Sequence, residues 1–172
     1  MQEFNLISVG RICDMASGIL LNDKGRRQFF WSVDAHVGPG CPNRDEDVQL
    51  IQFGYFCMAK NPGGLNIFTP AEGAIIESVV PGAKYSGQPA DPLTFAIRAH
   101  QRIRKGTQDG KVSPIQNSSG AYHGNMTWMV IPLNVQIMDA NSAQWPILHK
   151  MANCPPALAQ ASRHCFQPFP KR

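Results

Sequence analysis

The sequence predicts an α+β fold: a helical centre with an N-terminal β-hairpin and short C-terminal helices. Two observations carry this prediction. Apolar residues recur at helical spacing in residues 44–59 and again in residues 92–105. Residues 18–33 combine two apolar segments with a tight-turn sequence between them, which is typical of a β-hairpin. No repeat or linker divides the chain, so we expect a single domain over residues 1–172.

The composition is that of a folded protein with shaped loops. Of the 172 residues, 43% are hydrophobic and only 16% are charged, which argues against disorder driven by charge. The 15 glycines and 14 prolines favour short elements joined by turns. A chain of this length can bury a substantial core.

The N-terminal part of the chain predicts strands. Residues 4–9 are short, apolar and followed by a glycine, as in a strand. Residues 18–21 lead into the turn-forming residues 22–25, and the aromatic residues 28–33 return as the partner strand. The Pro- and Gly-rich residues 37–42 break regular structure and form a loop before the first helix.

The aromatic residues admit two interpretations. Consecutive residues of a strand point to opposite faces, so one of Phe29 and Phe30 lies outside or is covered by another element. Core packing is the favoured interpretation, and a stacking platform for sugars or a partner surface is the alternative. The residues concerned are Phe29, Phe30, Trp31, Trp128 and Trp145.

The helix predicted over residues 44–59 has a distinct beginning. Asn43 is the expected N-cap, and Glu46, three residues on, would complete a capping box. The acidic residues 45–47 also suit the positive end of the helix dipole. The apolar face of this helix consists of Val48, Leu50, Ile51, Phe53, Tyr55 and Phe56.

The second helix is predicted over residues 92–105. Asp91 is the expected cap, and Pro92 suits the first helical position because no amide hydrogen is needed there. Gly106 ends the helix. One side of it carries Leu93, Ala96, Ile97, His100 and Arg104.

The remaining segments are shorter. Prolines break residues 65–90 into an irregular excursion, in which residues 74–80 are either a strand or one helical turn. Residues 127–131 predict a buried strand. Residues 145–151 and 156–164 predict two short helices.

Three segments of the chain match one family pattern in order, and the last two also match it in spacing, whereas the linker after the first is longer than the family's usual connection. Residues 47–55 read DVQLIQFGY, residues 91–101 read DPLTFAIRAHQ, and residues 109–114 read DGKVSP. Over residues 43–115 the chain therefore resembles the peptidoglycan-binding domain, a small three-helix cell-wall-binding module of hydrolases and phage lysins.

The resemblance implies a helical core over residues 43–115, with residues 60–90 inserted between its two main helices. It also implies non-catalytic binding of bacterial peptidoglycan or another glycan polymer. The insertion would lie near the surface that the family uses for its ligand, and His100 stands where the family has an aromatic or apolar residue. The expected ligand-binding residues are Gln52, Tyr55, Gln101, Arg98 and Arg102.

Two alternatives stay open. Buried amides need hydrogen-bond partners, so Gln52 and Gln101 suit the binding of loop carbonyls better than the binding of a ligand. For the whole chain, the alternative function is that of a structural or adaptor component, with protein partners, in a phage particle or secretion assembly that reuses the same fold. The insertion, the low charge and the added terminal segments favour this second function.

The net charge of +4 is mildly basic. A cluster of basic residues attracts polyanions such as an anionic wall polymer. A solvated helix face has the same composition, and the aromatic residues that interleave in single-strand binders are missing here, so nucleic acid is not an expected partner. The cluster comprises Arg98, Arg102, Arg104, Lys105 and Lys111.

No sequence pattern of catalytic or metal-binding residues stands out. The five histidines include no H-E-x-x-H spacing, and no pattern supports a zinc site assembled from Asp34, His36, His123 and His149. The five cysteines include no C-x-x-C pair and are expected to be free, buried thiols. We therefore expect no metal, no cofactor and no enzymatic activity, with a cell-wall hydrolase as the remaining enzyme hypothesis.

The apolar segments of the sequence bear on the cellular location of the protein. Residues 1–10 lack the basic start and apolar run of a signal peptide. No window approaches the roughly 18 apolar residues that are needed to cross a bilayer. We expect synthesis in a reducing cytoplasm without a signal peptide or membrane span, and the final location, in the cell envelope or in a virion or secretion assembly, stays open.

Overall fold

The structure, a computed structural model, describes residues 18–23, 26–115 and 128–165. This part of the chain is mostly helical and carries one two-stranded hairpin, which agrees with an α+β class at the coarse level. In chain order the elements are β1 (Gly18–Asp23), β2 (Arg26–Trp31), α1 (Asp45–Lys60), α2 (Pro70–Glu77), α3 (Pro92–Ile103), α4 (Val130–Ala140), a short 3-10 helix (Leu148–Lys150) and α5 (Pro156–Cys165).

The predicted hairpin is confirmed. Strands β1 and β2 pair antiparallel, with Gly18 opposite Trp31 and Asp23 opposite Arg26. Their side-chain alternation buries Phe30, while Phe29 on the other face is half-buried. The strand predicted over residues 4–9 lies outside the described residues.

A buried asparagine on α4 fixes the end of β2. The Trp31 N–H donates to Oδ1 of Asn134 at 2.7 Å, and Nδ2 of Asn134 donates to the Trp31 carbonyl at 2.8 Å. The indole N–H of Trp31 donates to the Pro146 carbonyl, and Phe29 packs edge-on against both Trp31 and Trp145. Core packing is therefore confirmed for Phe30 and Trp31, which are each 1% exposed.

The first long helix is confirmed, but its predicted cap is wrong. Asn43 has a φ of 51°, and its side chain binds the loop before the helix instead of the first helical turn. Arg44 is the N-cap and makes no side-chain capping bond. The acidic residues 45–47 supply the negative charge that the free amides of the first turn favour.

Helix α1 is the centre of the core. It packs most extensively against α4 and also contacts α2 and α5. The approach of α4 depends on Gly54, because a Cβ atom there would lie 2.7 Å from the Leu133 Cβ. Both helix backbones thus come closer than an alanine at this position would allow.

A helix, α2, stands in the segment that was predicted as an irregular excursion. The helical alternative for residues 74–80 is met over residues 74–77, the second half of α2, whereas the start of the helix at Pro70 was not predicted. The helix begins with a capping box: the Thr69 side chain accepts from the Glu72 N–H, and the Glu72 carboxylate accepts from the Thr69 N–H. Pro70 occupies its first turn. The pattern Thr-Pro-x-Glu was visible in the sequence and is a known helix start.

This inserted helix fills the groove beside α1 and α3. It packs against both of them, and Arg102 of α3 forms a two-pronged ion pair with Glu72, with N–O distances from 2.8 to 3.1 Å. The ring of Phe68 also packs edge-on against His100 of α3 at 5.8 Å between centroids. The space between the two predicted helices is therefore occupied by the chain itself.

Helix α3 begins as predicted, and it meets α1 through side chains. The Asp91 carboxylate accepts from the Leu93 N–H, and Pro92 lies in the first turn. The ring of His100 packs edge-on against Tyr55 of α1 at 6.0 Å. Five residues from the predicted apolar sides of the two helices are all buried in one common core: Val48, Ile51, Tyr55, Ala96 and Ile97.

The C-terminal predictions are partly wrong. Val130 and Ile131 belong to helix α4 and not to a strand over residues 127–131. Pro132 lies in the first turn of α4, where no amide hydrogen is needed, and the buried Leu133 and Ile137 continue at helical spacing.

Of the two short C-terminal helices that the sequence predicted, one forms only in part and one is confirmed. Of the helix predicted over residues 145–151, only the 3-10 turn Leu148–Lys150 forms. The helix predicted over residues 156–164 is confirmed as α5.

We predict that two mid-helix glycines respond oppositely to alanine. Gly54→Ala places a methyl group against the Leu133 Cβ, which a rotamer change cannot move, and should lower the free energy of unfolding by about 1–3 kcal/mol. In Gly73→Ala the added methyl group meets nothing closer than 3.8 Å, so this variant should raise the free energy of unfolding by about 0.5–1 kcal/mol. Urea unfolding of both variants measures this, and equal effects would contradict the close α1–α4 approach.

Candidate ligand-binding site

Two loops that are far apart in the sequence meet at one end of the molecule. Val37 and Val112 form an isolated antiparallel bridge, with N–O distances of 3.0 and 2.8 Å. Gly38 has a φ of 145°, and a Cβ atom there would lie 2.5 Å from the Gly110 carbonyl oxygen. Only glycine permits this approach, so the contact between the loops depends on Gly38.

Gln101 on α3 fixes the second loop. Its Nε2 donates to Oδ1 of Asp109 at 2.8 Å and to the Lys111 carbonyl at 2.9 Å. Its Oε1 accepts from the Gly110 N–H at 3.0 Å. The amide is thus fully used by the turn at residues 109–111, which confirms the structural alternative predicted for this glutamine.

Two side chains around the start of α1 fix the first loop. The carboxylate of Asp47 accepts from the backbone N–H groups of Asp34 and Ala35, both at 2.9 Å. Oδ1 of Asn43 accepts from the Gly38 N–H at 2.7 Å, and its Nδ2 donates to the Gly38 and Cys41 carbonyls at 3.0 Å. Both ends of the loop are therefore held by side chains that the fold itself positions.

Asp47 is also an unusual acid. Burial raises the pKa of its carboxyl from 3.8 to about 6, against the lowering effect of the two backbone amides. The nearby charge of Asp34 acts in the same direction as burial, and Arg44 opposes it. The anchor of the first loop therefore changes charge near pH 6.

The two fixed loops enclose an open cavity of about 310 Å³, which we call the loop cavity. Its walls carry an amine, an imidazole, a thiol, a hydroxyl and a carboxylate. The amine, imidazole, thiol and hydroxyl can donate hydrogen bonds to a polar ligand, and the carboxylate can accept them. The lining residues are His36, Gly40, Cys41, Pro42, Asp109, Lys111 and Ser113.

Three of the five predicted ligand residues belong to the core. Tyr55 is fully buried, and Gln52 and Gln101 are 3% and 8% exposed. Nε2 of Gln52 donates to the Ala83 carbonyl and its Oε1 accepts from the Gly82 N–H, so this glutamine holds the end of the insertion. The structural alternative is thus confirmed for Gln52 as well.

The two predicted arginines are more accessible. The guanidinium of Arg102 is engaged in the ion pair with Glu72. Arg98 is half-buried beside Gly110, which lies between two residues of the loop cavity. Of the five predicted ligand residues, Gln101 and Arg98 therefore adjoin this cavity, and the amide of Gln101 is engaged by the turn at residues 109–111.

The loop residues of the cavity were not predicted as a site. In the sequence, His36 stands out only as part of a suggested zinc set, Cys41 as an expected free thiol, and Lys111 as part of the basic cluster and of the third family-like segment. Neither loop has a spacing pattern that points to the other, and the shared feature is a pair of glycines at residues 38 and 110.

Several buried titratable groups are inert. Burial lowers the pKa of His100 to about 4, with a smaller contribution from Arg104, so the imidazole is neutral near pH 7. Burial raises the pKa of the Cys57 and Cys154 thiols to about 12. Both cysteines are free thiols, as is Cys41.

Metal binding and membrane crossing can be examined only in the described residues. There, no three side chains among His, Cys, Asp and Glu come together as a metal site requires. His123 of the suggested zinc set lies outside the described residues, and His149 contacts Ser162. No helix in the described part of the chain has the length and apolar character that crossing a bilayer requires.

A second groove of about 430 Å³ runs along the insertion. Two apolar side chains of the same insertion, outside the lining of the groove, are exposed: Ile67 at 56% and Val80 at 59%. Its walls come from a single stretch of the chain rather than from two converging loops. The lining residues are Leu65, Asn66, Phe68, Thr69, Pro70, Gly73, Ala74 and Glu77.

Comparison with protein-family models finds no matching family, and comparisons with curated proteins and with solved structures find no match either. The resemblance to the peptidoglycan-binding domain therefore rests on the three sequence segments alone.

We predict a pH-dependent contribution of Asp47 to stability. A raised pKa in the folded state means that this group's contribution is fully present below pH 3.8 and is lost as the pH rises through about 6. The free energy of unfolding of the wild type, minus that of Asp47→Asn, should therefore decrease by about 1–3 kcal/mol between pH 4 and pH 6.5.

Denaturant unfolding at several pH values measures this difference. The pKa of His100 is lowered, so its contribution to stability changes with pH in the opposite sense to that of Asp47. Because His100 is present in both proteins, its contribution cancels in the difference between them. Asp45→Asn removes an exposed carboxylate from the same helical turn and is the matched control. A wild-type minus Asp47→Asn difference that stays constant or grows with pH would contradict the assignment.

Proposed function

We propose that this protein is a non-catalytic binding module for bacterial cell-wall peptidoglycan, with the loop cavity as its contact site. One observation carries the proposal: each of the three segments that resemble the family contributes to this cavity. Asp47 in the first segment holds one loop, Gln101 in the second holds the other, and residues 109–114 of the third form a wall.

Rigid walls support a binding role. A site whose loops are fixed in advance loses less conformational entropy when a ligand arrives. Asn43, Asp47 and Gln101 together bind seven backbone groups of the two loops, at residues 34, 35, 38, 41, 110 and 111. The loop cavity therefore needs little rearrangement to accept a ligand.

Charge supports an anionic polymer as the ligand. The chain carries a net charge of +4; Lys111 lines the cavity, and Arg98 lies behind its wall, next to Gly110. Basic groups at a binding site attract anionic polymers from a distance and raise the rate of association. Wall peptidoglycan carries carboxylates along its peptides, so it fits this charge.

Sedimentation with purified insoluble peptidoglycan tests the proposal. The wild type should pellet with the wall material, and Ser113→Trp, which fills the loop cavity with an indole, should lower the bound fraction by about tenfold. Ala74→Trp places the same indole in the second groove and is the matched control.

The control should bind as the wild type does, and both variants should unfold at the wild-type temperature within a few degrees. Absence of wild-type sedimentation over a range of salt concentrations would refute the proposal. Release of soluble fragments from the wall, with or without a chelator, would refute its non-catalytic part and favour a hydrolase.

The alternative is a structural or adaptor component of a phage particle or secretion assembly. Exposed apolar side chains favour it, because Ile67, Val80 and Phe95 are 56%, 59% and 36% exposed. Two of the three lie in the segment inserted between the family-like helices. Light scattering in solution discriminates between the two functions. A strict monomer that sediments with wall material would rule out this alternative, and a self-associating protein that does not sediment with wall material would favour it.

A further inference from the structure

We propose that the loop cavity recognises a single carboxylate group, presented by a peptide end of the wall polymer. This inference rests on the proposed function, and it adds the chemical group that the cavity selects. Three features support it: which charged groups of the cavity already have partners within the protein, the position of Arg98, and the volume of the cavity.

The basic groups of the loop cavity are available, whereas its acidic group is used. In the described part of the chain, neither Lys111 nor His36 takes part in an ion pair. Asp109 is used by its own turn, since its Oδ1 accepts from Gln101 Nε2 and from the Lys111 N–H. Among the described residues, Lys111 and His36 therefore offer a ligand side-chain nitrogens that no ion pair uses, and the hydroxyl of Ser113 lines the same cavity.

The stem of Lys111 is held in place by the loop contact. A Cβ atom on Gly38 would lie 2.9 Å from the Lys111 Cγ, so the lysine chain passes directly over this glycine. This contact confines only the first part of the side chain, up to Cγ, and the exposed amine extends beyond it. A lysine whose stem is confined loses less rotamer entropy when its amine binds an anion than an unconstrained surface lysine does.

Arg98 adds positive charge from behind the wall. Its Nε would lie 3.2 Å from a Cβ atom on Gly110, and this buried Nε has no hydrogen-bond partner among the described residues. Gly110 lies between the lining residues Asp109 and Lys111, so the guanidinium of Arg98 raises the positive potential behind that wall of the cavity.

Size and charge favour a carboxylate over a phosphate. A volume of about 310 Å³ is at the lower end of ligand pockets, so the cavity accepts the end of a chain and not an extended polymer. One amine and one hydroxyl can serve the two oxygens of a carboxylate. The carboxylate of Asp109 at the rim would repel the second negative charge of a phosphate dianion.

Titration of the full-length protein with N-acetyl-alanyl-alanine, followed by amide chemical shifts in NMR spectra, tests the inference. The free carboxylate should shift the resonances of residues 36–41 and 109–113. The same peptide with an amidated C-terminus, and inorganic phosphate at the same ionic strength, should bind at least about tenfold more weakly. Equal binding of the amide or of phosphate would overturn the assignment to a carboxylate.

Two lysine variants locate the contact. Lys111→Met keeps the aliphatic stem, removes the amine, and should weaken peptide binding by about tenfold, the loss expected for one charge-assisted hydrogen bond. Lys84→Met removes an exposed amine outside the cavity and should bind as the wild type does. Equal binding of Lys111→Met and the wild type, with both folded by their spectra, would overturn the inference.

The failures of the two proposals are distinguishable. If the peptide carboxylate binds in the cavity but intact peptidoglycan does not sediment the protein, the wall-binding function fails and the carboxylate site stands. If peptidoglycan sediments the wild type and Lys111→Met equally, the function stands and the carboxylate site is wrong.

Discussion

The structure depends on buried polar side chains of the helices that bind the backbone of distant loops. Three such side chains are at most 8% exposed, and each binds backbone donors and acceptors of another segment. They are Gln52, Gln101 and Asn134. A buried amide without a partner is costly, so each helix accepts its loop in one position only. The insertion, the turn at residues 109–111 and the end of the hairpin are placed in this way, and the loop cavity is a consequence.

Local patterns in the sequence predicted the elements whose own residues determine them. The cap Asp91-Pro92 and the helical spacing that follows needed no tertiary contact, and the hairpin followed from its turn and aromatic strand. Helix α2 was missed although Thr69 and Glu72 form a capping box, because the surrounding prolines suggested breaks. Val130 and Ile131 were assigned to a strand because a short β-branched segment fits either structure until the following turns are counted.

The site was harder to predict than the fold because it consists of tertiary contacts. Gln52, Tyr55 and Gln101 match the family pattern, yet their burial shows that they hold the fold together. The misassigned cap has the same origin: Asn43 has the side chain of an N-cap, but a φ of 51° turns it toward Gly38. The approach of Gly38 to Gly110 joins residues that are 72 positions apart, and a single sequence contains no local pattern that reports such a pair.

The inserted helix decides where a ligand can meet this chain. Because α2 packs on both α1 and α3, and because Glu72 pairs with Arg102, the groove beside the two family-like helices is closed by the protein itself. Gln52 secures the end of the insertion, so opening that groove would break its two backbone bonds as well as the ion pair. The loop cavity requires none of these losses, since its two loops are already held in place by Asn43, Asp47 and Gln101. The wall binding that we propose would therefore use the loops that these side chains hold and not the groove beside the two helices.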